Sequence, residues 1–157
     1  FATAFGLSSR MRFDLTVNQF ARALSLGEEL VVFDADTWRP YCHVNDFARL
    51  IETVFEADSD SVNGQVFNAG GDSNNFTKRG LVELLESKLP NSRVSYQEHG
   101  GDPRNYRVDF SKVRRVLGFE PHFSVSYGMD QIIDAVENGL FTEPVEGNNL
   151  YGNYNLD

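Results

Sequence analysis

The sequence predicts an α/β fold of short strands and about five helices, on three observations. Short apolar or alternating runs at 30–33, 38–43 and 93–97 carry the period of strands. The stretches after them place apolar residues every three or four positions, the period of helices packed on one face. Strands and helices also succeed one another instead of segregating, which is the pattern of a sheet layered with helices.

In chain order, residues 1–5 read as a strand and Gly6-Leu7-Ser8-Ser9 as the loop leaving it. Phe13, Val17, Phe20, Ala21 and Leu24 then share one helical face, with Asp14 near the positive end and Gly27 as the stop, so a helix over about 14–26 is expected. Leu30 to Phe33 is a strand and Asp34-Ala35-Asp36 its turn. In Trp38 to His43 side chains alternate, putting Arg39, Tyr41 and His43 on one face, which reads as polar and open to a ligand. Pro40 lacks a backbone donor and points to an edge or irregular strand, while Asn45 or Asp46 is expected to cap the next helix. That helix buries Phe47, Leu50, Ile51, Val54 and Phe55 and ends near Ala57.

A polar loop over 58–64 leads to an expected strand at Gln65 to Asn68. Thr77 caps a helix with Leu81, Val82, Leu85 and Leu89 inward. Arg93 to Gln97 is a half-exposed strand, and Gly100 to Pro103 a turn. Ser111 is expected to cap a short helix stopped by Gly118, and a last helix starts at Ser124 with Met129, Ile132, Ile133 and Val136 inside. Residues 142–157 show neither period and form an irregular tail after a domain over 1–141.

With 157 residues, 41% of them hydrophobic, the chain can bury one substantial core. A net charge of −9 speaks against general binding to nucleic acid or to an anionic membrane, so any anionic ligand must be met by local arginines. The lone Cys42 permits no intrachain disulfide and fits a cytoplasmic setting. No apolar run approaches the roughly 18 residues of a membrane span. The histidines, at 43, 99 and 122, are too scattered for a zinc site.

Chemistry concentrates in Trp38-Arg39-Pro40-Tyr41-Cys42-His43-Val44-Asn45-Asp46. Taken with Gly27 to Phe33, with Val66-Phe67-Asn68-Ala69-Gly70-Gly71, with Asp102-x-Arg104-x-Tyr106-x-Val108-x-Phe110-x-Lys112 and with Leu117-Gly118-Phe119-x-Pro121, it resembles the carboxyl-terminal part of the NAD-dependent epimerase/dehydratase family. These are the extended short-chain dehydrogenases that act on nucleotide sugars, and the resemblance spans roughly residues 1–140.

The resemblance implies the substrate-binding, C-terminal portion of an extended Rossmann-type enzyme, with residues 1–5 a strand of a dinucleotide-binding core missing from this chain. It implies hydride transfer to NAD or NADP in the complete parent protein, with no cofactor expected on this portion. The sequence lacks closely spaced glycines after a first strand. It also lacks the family's tyrosine with a lysine four residues later, since Lys78, Lys88 and Lys112 follow Asn74, Leu84 and Val108 at that offset. The chain alone is therefore expected to be inactive, with an apolar face left open and a tendency to self-associate. The alternative is a non-catalytic nucleotide-binding or protein-interaction module of the same fold.

For the substrate, Arg39 can hold two diphosphate oxygens at once, and the family places an arginine there for that purpose. From the residues alone, the plainer reading is an ion pair with Asp34, Asp36 or Asp46. Arg104 and Tyr106 offer a cation and a phenol on one face, with Asp102 as a ribose or arginine partner. Many relatives carry an arginine where His99 stands here, which leaves Arg104 as the substitute. Arg10 and Arg12 complete the expected substrate-binding set, and His43 matches a family histidine of architectural role.

Overall fold

In the computed structural model, which describes residues 1–98, 104–141 and 150–152, the chain alternates strands and helices as its periodicity dictates. The order is β1 (Thr3–Phe5), α1 (Thr16–Ser25), β2 (Glu29–Phe33), β3 (Trp38–His43), α2 (Val44–Glu56), α3 (Ser59–Val62), β4 (Asn75–Thr77), α4 (Lys78–Lys88), β5 (Arg93–Gln97), α5 (Ser111–Leu117) and α6 (Val125–Glu137). A 3₁₀ turn, Asp72–Asn74, precedes β4.

Two small sheets result. In the first, β3 lies between β1, which it meets in parallel from Thr3 opposite Tyr41 to Phe5 opposite His43, and β4, which it meets antiparallel from Trp38 opposite Thr77 to Pro40 opposite Asn75. β3 is the middle strand, yet at Pro40 it has a neighbour only in β4, since pairing with β1 begins at Tyr41; the missing donor falls where one side of an irregular strand is open, as expected. In the second sheet β2 and β5 run parallel, with Glu29 opposite Arg93 and Phe33 opposite Gln97.

Helix boundaries follow local chemistry. Helix α1 ends in a Schellman motif: Gly27, at φ +71°, donates to Leu24 O and Glu28 donates to Ala23 O. Thr77 Oγ1 accepts from Gly80 N at 3.0 Å and Ser124 Oγ from Tyr127 N at 3.1 Å, as their N-cap positions predict. Two expected caps are displaced. His43, not Asn45 or Asp46, caps α2, its Nδ1 accepting from Asn45 N at 3.2 Å. At α5 the side chain that accepts from Ser111 N, at 2.7 Å, is Asp109. The described chain has six α-helices, because Ser59–Val62 closes one turn inside the expected loop. The expected strand at Gln65 to Asn68 does not form. The nearest backbone bond toward the first sheet, from Ala2 N to Ala69 O, lies one residue outside both that stretch and β1, and a single bond makes no ladder.

The main core joins Phe5, Val17, Phe20, Leu24, Leu30, Val32, Tyr41, Leu81, Leu85, Met129 and Ile132. Close approach rather than bulk sets two of its positions. A Cβ on Gly128 would meet the Phe5 ring at 2.4 Å, and one on Gly6 would meet His43 Nε2 at 2.3 Å. A smaller cluster gathers Leu50, Ala69, Phe110, Val113 and Phe119. Beside it, Phe1, Leu50, Ile51, Val54, Phe55 and Phe67 line a groove of about 270 Å³, with Phe1 and Phe55 each 85% exposed.

Candidate functional site

Strand β3 delivers Arg39 and Tyr41 to the same side, as the alternation of an extended chain requires. The outcome differs from an open polar face: Tyr41 and His43 are fully buried. His43 Nδ1 is occupied by Asn45 N–H, so its proton sits on Nε2 and is donated to Gln131 Oε1 at 2.8 Å. The ring also packs against Phe123 and edge-on to Phe5. Both nitrogens and both faces are thereby engaged in architecture.

Tyr41 is different. Its hydroxyl is the one buried side-chain polar atom without a hydrogen-bond partner among the described residues. Burial pushes its pKa up to about 12, while the neighbouring Thr16 side chain and the charge of Arg39 act in the opposite direction. Thr16 is the first residue of α1, whose N-cap, Leu15, offers no side-chain acceptor and whose first turn holds no acid. A helix start exposes amide donors and partial positive charge. A buried hydroxyl beside the Thr16 side chain, an uncapped helix start and the Arg39 charge together make a setting for an anion.

The remaining partners come from residues 104–108, an irregular stretch rather than the strand face expected. It is laced to the start of β3: Trp38 N donates to Asn105 Oδ1 at 2.9 Å and Tyr106 N donates to Trp38 O at 3.3 Å. Arg107 stacks over the Trp38 ring at 4.5 Å, and Arg39 over the Tyr106 ring at 5.4 Å. Arg39 also donates to Trp38 O at 2.7 Å. A cation and a phenol are therefore brought together as the sequence suggested, but Arg39 supplies the cation. Tyr106 further lines a small cleft of about 170 Å³ with Pro40, Asn68, Ala69 and Val108. Arg104 lies exposed at the start of this stretch. Asp102 and His99 fall outside the described residues.

Of the acids open to Arg39 in sequence, Asp36 pairs with Arg79 at 2.7 Å and Asp46 with Arg49 at 2.6 Å. The fully buried Asp46 carboxylate also accepts from His122 N and Phe123 N, each at 3.0 Å. Arg12 donates through Nε to Asp14 at 2.6 Å, a bond that holds the Asp14 carboxyl below its usual range. Among the described residues Arg10 donates to the backbone carbonyls of Met11, Leu150 and Gly152. The Cys42 thiol is buried, and burial followed by the Asp46 charge pushes it up to about 12, which disfavours a nucleophilic thiolate. Among the described residues no three His, Cys, Asp or Glu side chains gather to hold a metal, and no helix is long and apolar enough to cross a membrane.

Reading the sequence without a structure leaves Tyr41 out of the binding set. The signal was its alternation with Arg39, but an isolated tyrosine in a strand gives no sign that its hydroxyl will be buried without a partner.

Comparison with known proteins adds to this geometry. The pattern of the NAD dependent epimerase/dehydratase family matches residues 4–70. A dTDP-glucose 4,6-dehydratase of Xanthomonas campestris pv. campestris is 30% identical over 150 residues, covering 87% of this chain and 40% of the relative. The structure of a UDP-glucose 4-epimerase from Thermotoga maritima, determined with UDP-glucose, superposes with a TM-score of 0.73 at 26% identity over 89% of this chain and 45% of that one. A UDP-glucuronic acid 4-epimerase from Bacillus cereus, in complex with UDP-glucuronic acid and NAD, has the same fold at a TM-score of 0.75 and 22% identity, over 89% of this chain and 44% of its own. The chain thus spans less than half the length of each of these proteins.

Proposed function

We propose that this relative of the NAD-dependent epimerases and dehydratases, with their Rossmann-type α/β fold, supplies the nucleotide-sugar side of the active-site cleft of such an enzyme. The observation that carries the reading is the unpartnered Tyr41 hydroxyl beside the uncapped start of α1, with Arg39 and Tyr106 next to it. Support comes from the relatives, which include proteins named for dTDP- and UDP-sugars.

In this reading Arg39 forks two diphosphate oxygens, Tyr41 donates a third hydrogen bond and the α1 amides complete the cradle. Tyr106 holds the guanidinium plane from its other side and closes the cleft toward Asn68. Arg104 and Asp102 extend the set toward the nucleoside, and the Arg12–Asp14 pair flanks α1. Binding is the part of the work these residues can do: they fix where the sugar sits relative to whatever reacts with it.

Among the described residues the glycine pattern does not fit NAD or NADP: dinucleotide binding needs glycines clustered between a strand and a helix, whereas the described positive-φ glycines are dispersed at positions 6, 27, 64, 70, 118 and 139. Hydride transfer at a sugar carbon belongs to a nicotinamide-binding portion, and the nucleotide sugar would bridge the two.

Substituting Arg39→Lys tests the reading. A charge-assisted hydrogen bond contributes about 1.5 to 3 kcal/mol, so loss of the fork lowers UDP-glucose or dTDP-glucose affinity roughly ten- to 150-fold. A melting curve unchanged to within about 1 kcal/mol accompanies that loss. Unchanged sugar-nucleotide affinity in calorimetry removes Arg39 from the site.

A further inference from the structure

The stretch that feeds α1 is held from two sides. On the inside, the buried Asn18 side chain accepts from Gly6 N at 3.1 Å and donates to Arg12 O at 2.9 Å, tying both ends of the 6–12 loop to the first turn of α1. On the outside, residues 150–152 return across the whole chain. Arg10 donates to Leu150 O at 2.9 Å and to Gly152 O at 2.8 Å, and Phe13 N donates to Tyr151 O at 2.7 Å. The Tyr151 ring stands edge-on to Phe13 at 5.3 Å and to Phe141 at 5.8 Å, while Phe13 meets Phe141 at 5.0 Å. A main-chain bond on residue 13 and a clamp at residue 10 leave the backbone just ahead of Thr16 little room to shift.

We propose that residues 150–152 brace the start of α1, with Arg10 as the clasp, and thereby set the position of the helix amides that would receive the diphosphate. Arg10 is then a positioning residue whose charge is directed at the tail carbonyls, and Tyr151 is its counterpart on the tail. The inference rests on the anion site proposed above and adds to it a dependence on the chain's far end.

The test uses full-length variants, with backbone amide exchange and binding of uridine diphosphate as separate readouts. Arg10→Ala and Tyr151→Ala each speed exchange at residues 11–17 while the amides of α4 and α6 stay protected, which shows that the fold persists. Each lowers uridine diphosphate affinity roughly two- to thirtyfold, the range for residues that act without touching a ligand. The double variant is no weaker than the worse single one, because both act through one contact.

Unchanged exchange at 11–17 overturns the brace. So does faster exchange with unchanged affinity. If Arg10 touched the anion directly, Tyr151→Ala would leave its guanidinium in place, and affinity would hold or rise; that outcome also overturns the proposal. A wild-type chain that binds no uridine diphosphate defeats the reading of the site instead, together with this dependence of binding on the tail, and exchange alone then decides whether the brace exists.

Discussion

Replacing Tyr41 by Phe separates a binding hydroxyl from a structural one, because the two roles move stability and affinity in opposite ways. In the folded chain the hydroxyl is buried without a partner among the described residues. An unsatisfied buried polar group costs about 1 to 3 kcal/mol. Deleting the oxygen removes that penalty and leaves a ring of nearly the same shape in the core formed with Phe5, Val17 and Leu30. The Phe variant should therefore be as stable as the parent or more so, with the melting temperature unchanged or higher by about 2 to 4 °C for each kcal/mol recovered. Its affinity for a nucleoside diphosphate should fall by about ten- to 150-fold, the value of one hydrogen bond to a charged group. Calorimetric titration and a melting curve on the same preparation provide both numbers. A variant that melts several degrees lower and binds as before would refute the reasoning, since it would mean that the hydroxyl serves Thr16 and the core.

Alkaline solutions should destabilise the fold over a defined window. Burial raises Cys42 from its ordinary 9.0 and Tyr41 from 10.0, each to about 12. Below pH 9 both groups are protonated whether the chain is folded or not, and stability is unaffected. Between pH 9 and about 12 the unfolded chain loses protons that the folded chain keeps, so stability falls through that range in a pH-resolved denaturant titration, and Cys42→Ala removes the lower part of the fall. Asp46→Ala strips the acceptor from Arg49, His122 N and Phe123 N and should cost about 3 to 5 kcal/mol, read as a drop in melting temperature with α2 and α6 both loosened. The groove lined by Phe1, Ile51 and Phe55 should drive self-association, and Phe55→Asp should return the chain to a monomer in sedimentation without loss of stability.

Much of this architecture was legible because it is local. The positive-φ stop at Gly27, the caps at Thr77 and Ser124 and the buried stripe of α1 depend on neighbours within four residues, and they form where the periodicity puts them. What eluded the sequence depends on distant partners. His43 takes the α2 cap because Gln131, 88 residues away, holds the other side of its ring. Asp46, a reasonable cap by type, is drawn inward by the amides of His122 and Phe123. The stretch at Gln65 to Asn68 has strand chemistry but pairs with no strand among the described residues, and Val66 is left 80% exposed. In the site, Arg39 could be singled out by residue type and motif, whereas the importance of Tyr41 lies in a missing hydrogen bond, which no local pattern encodes. Arg10 can likewise be singled out by residue type, but its bonds to the carbonyls of Leu150 and Gly152 join positions 140 and 142 residues apart, which no local pattern encodes.

Binding of the nucleotide-sugar diphosphate at the start of α1, beside Arg39 and Tyr41, can be read residue by residue in an amide chemical-shift titration of the isotopically labelled chain with UDP-glucose, with dTDP-glucose and, separately, with NAD. Saturable shifts are expected from either sugar nucleotide, concentrated at residues 15–18, 38–42 and 104–108, and none of that kind from NAD. Saturation by NAD at those residues, or sugar-nucleotide shifts confined to other surfaces, would contradict binding at that site.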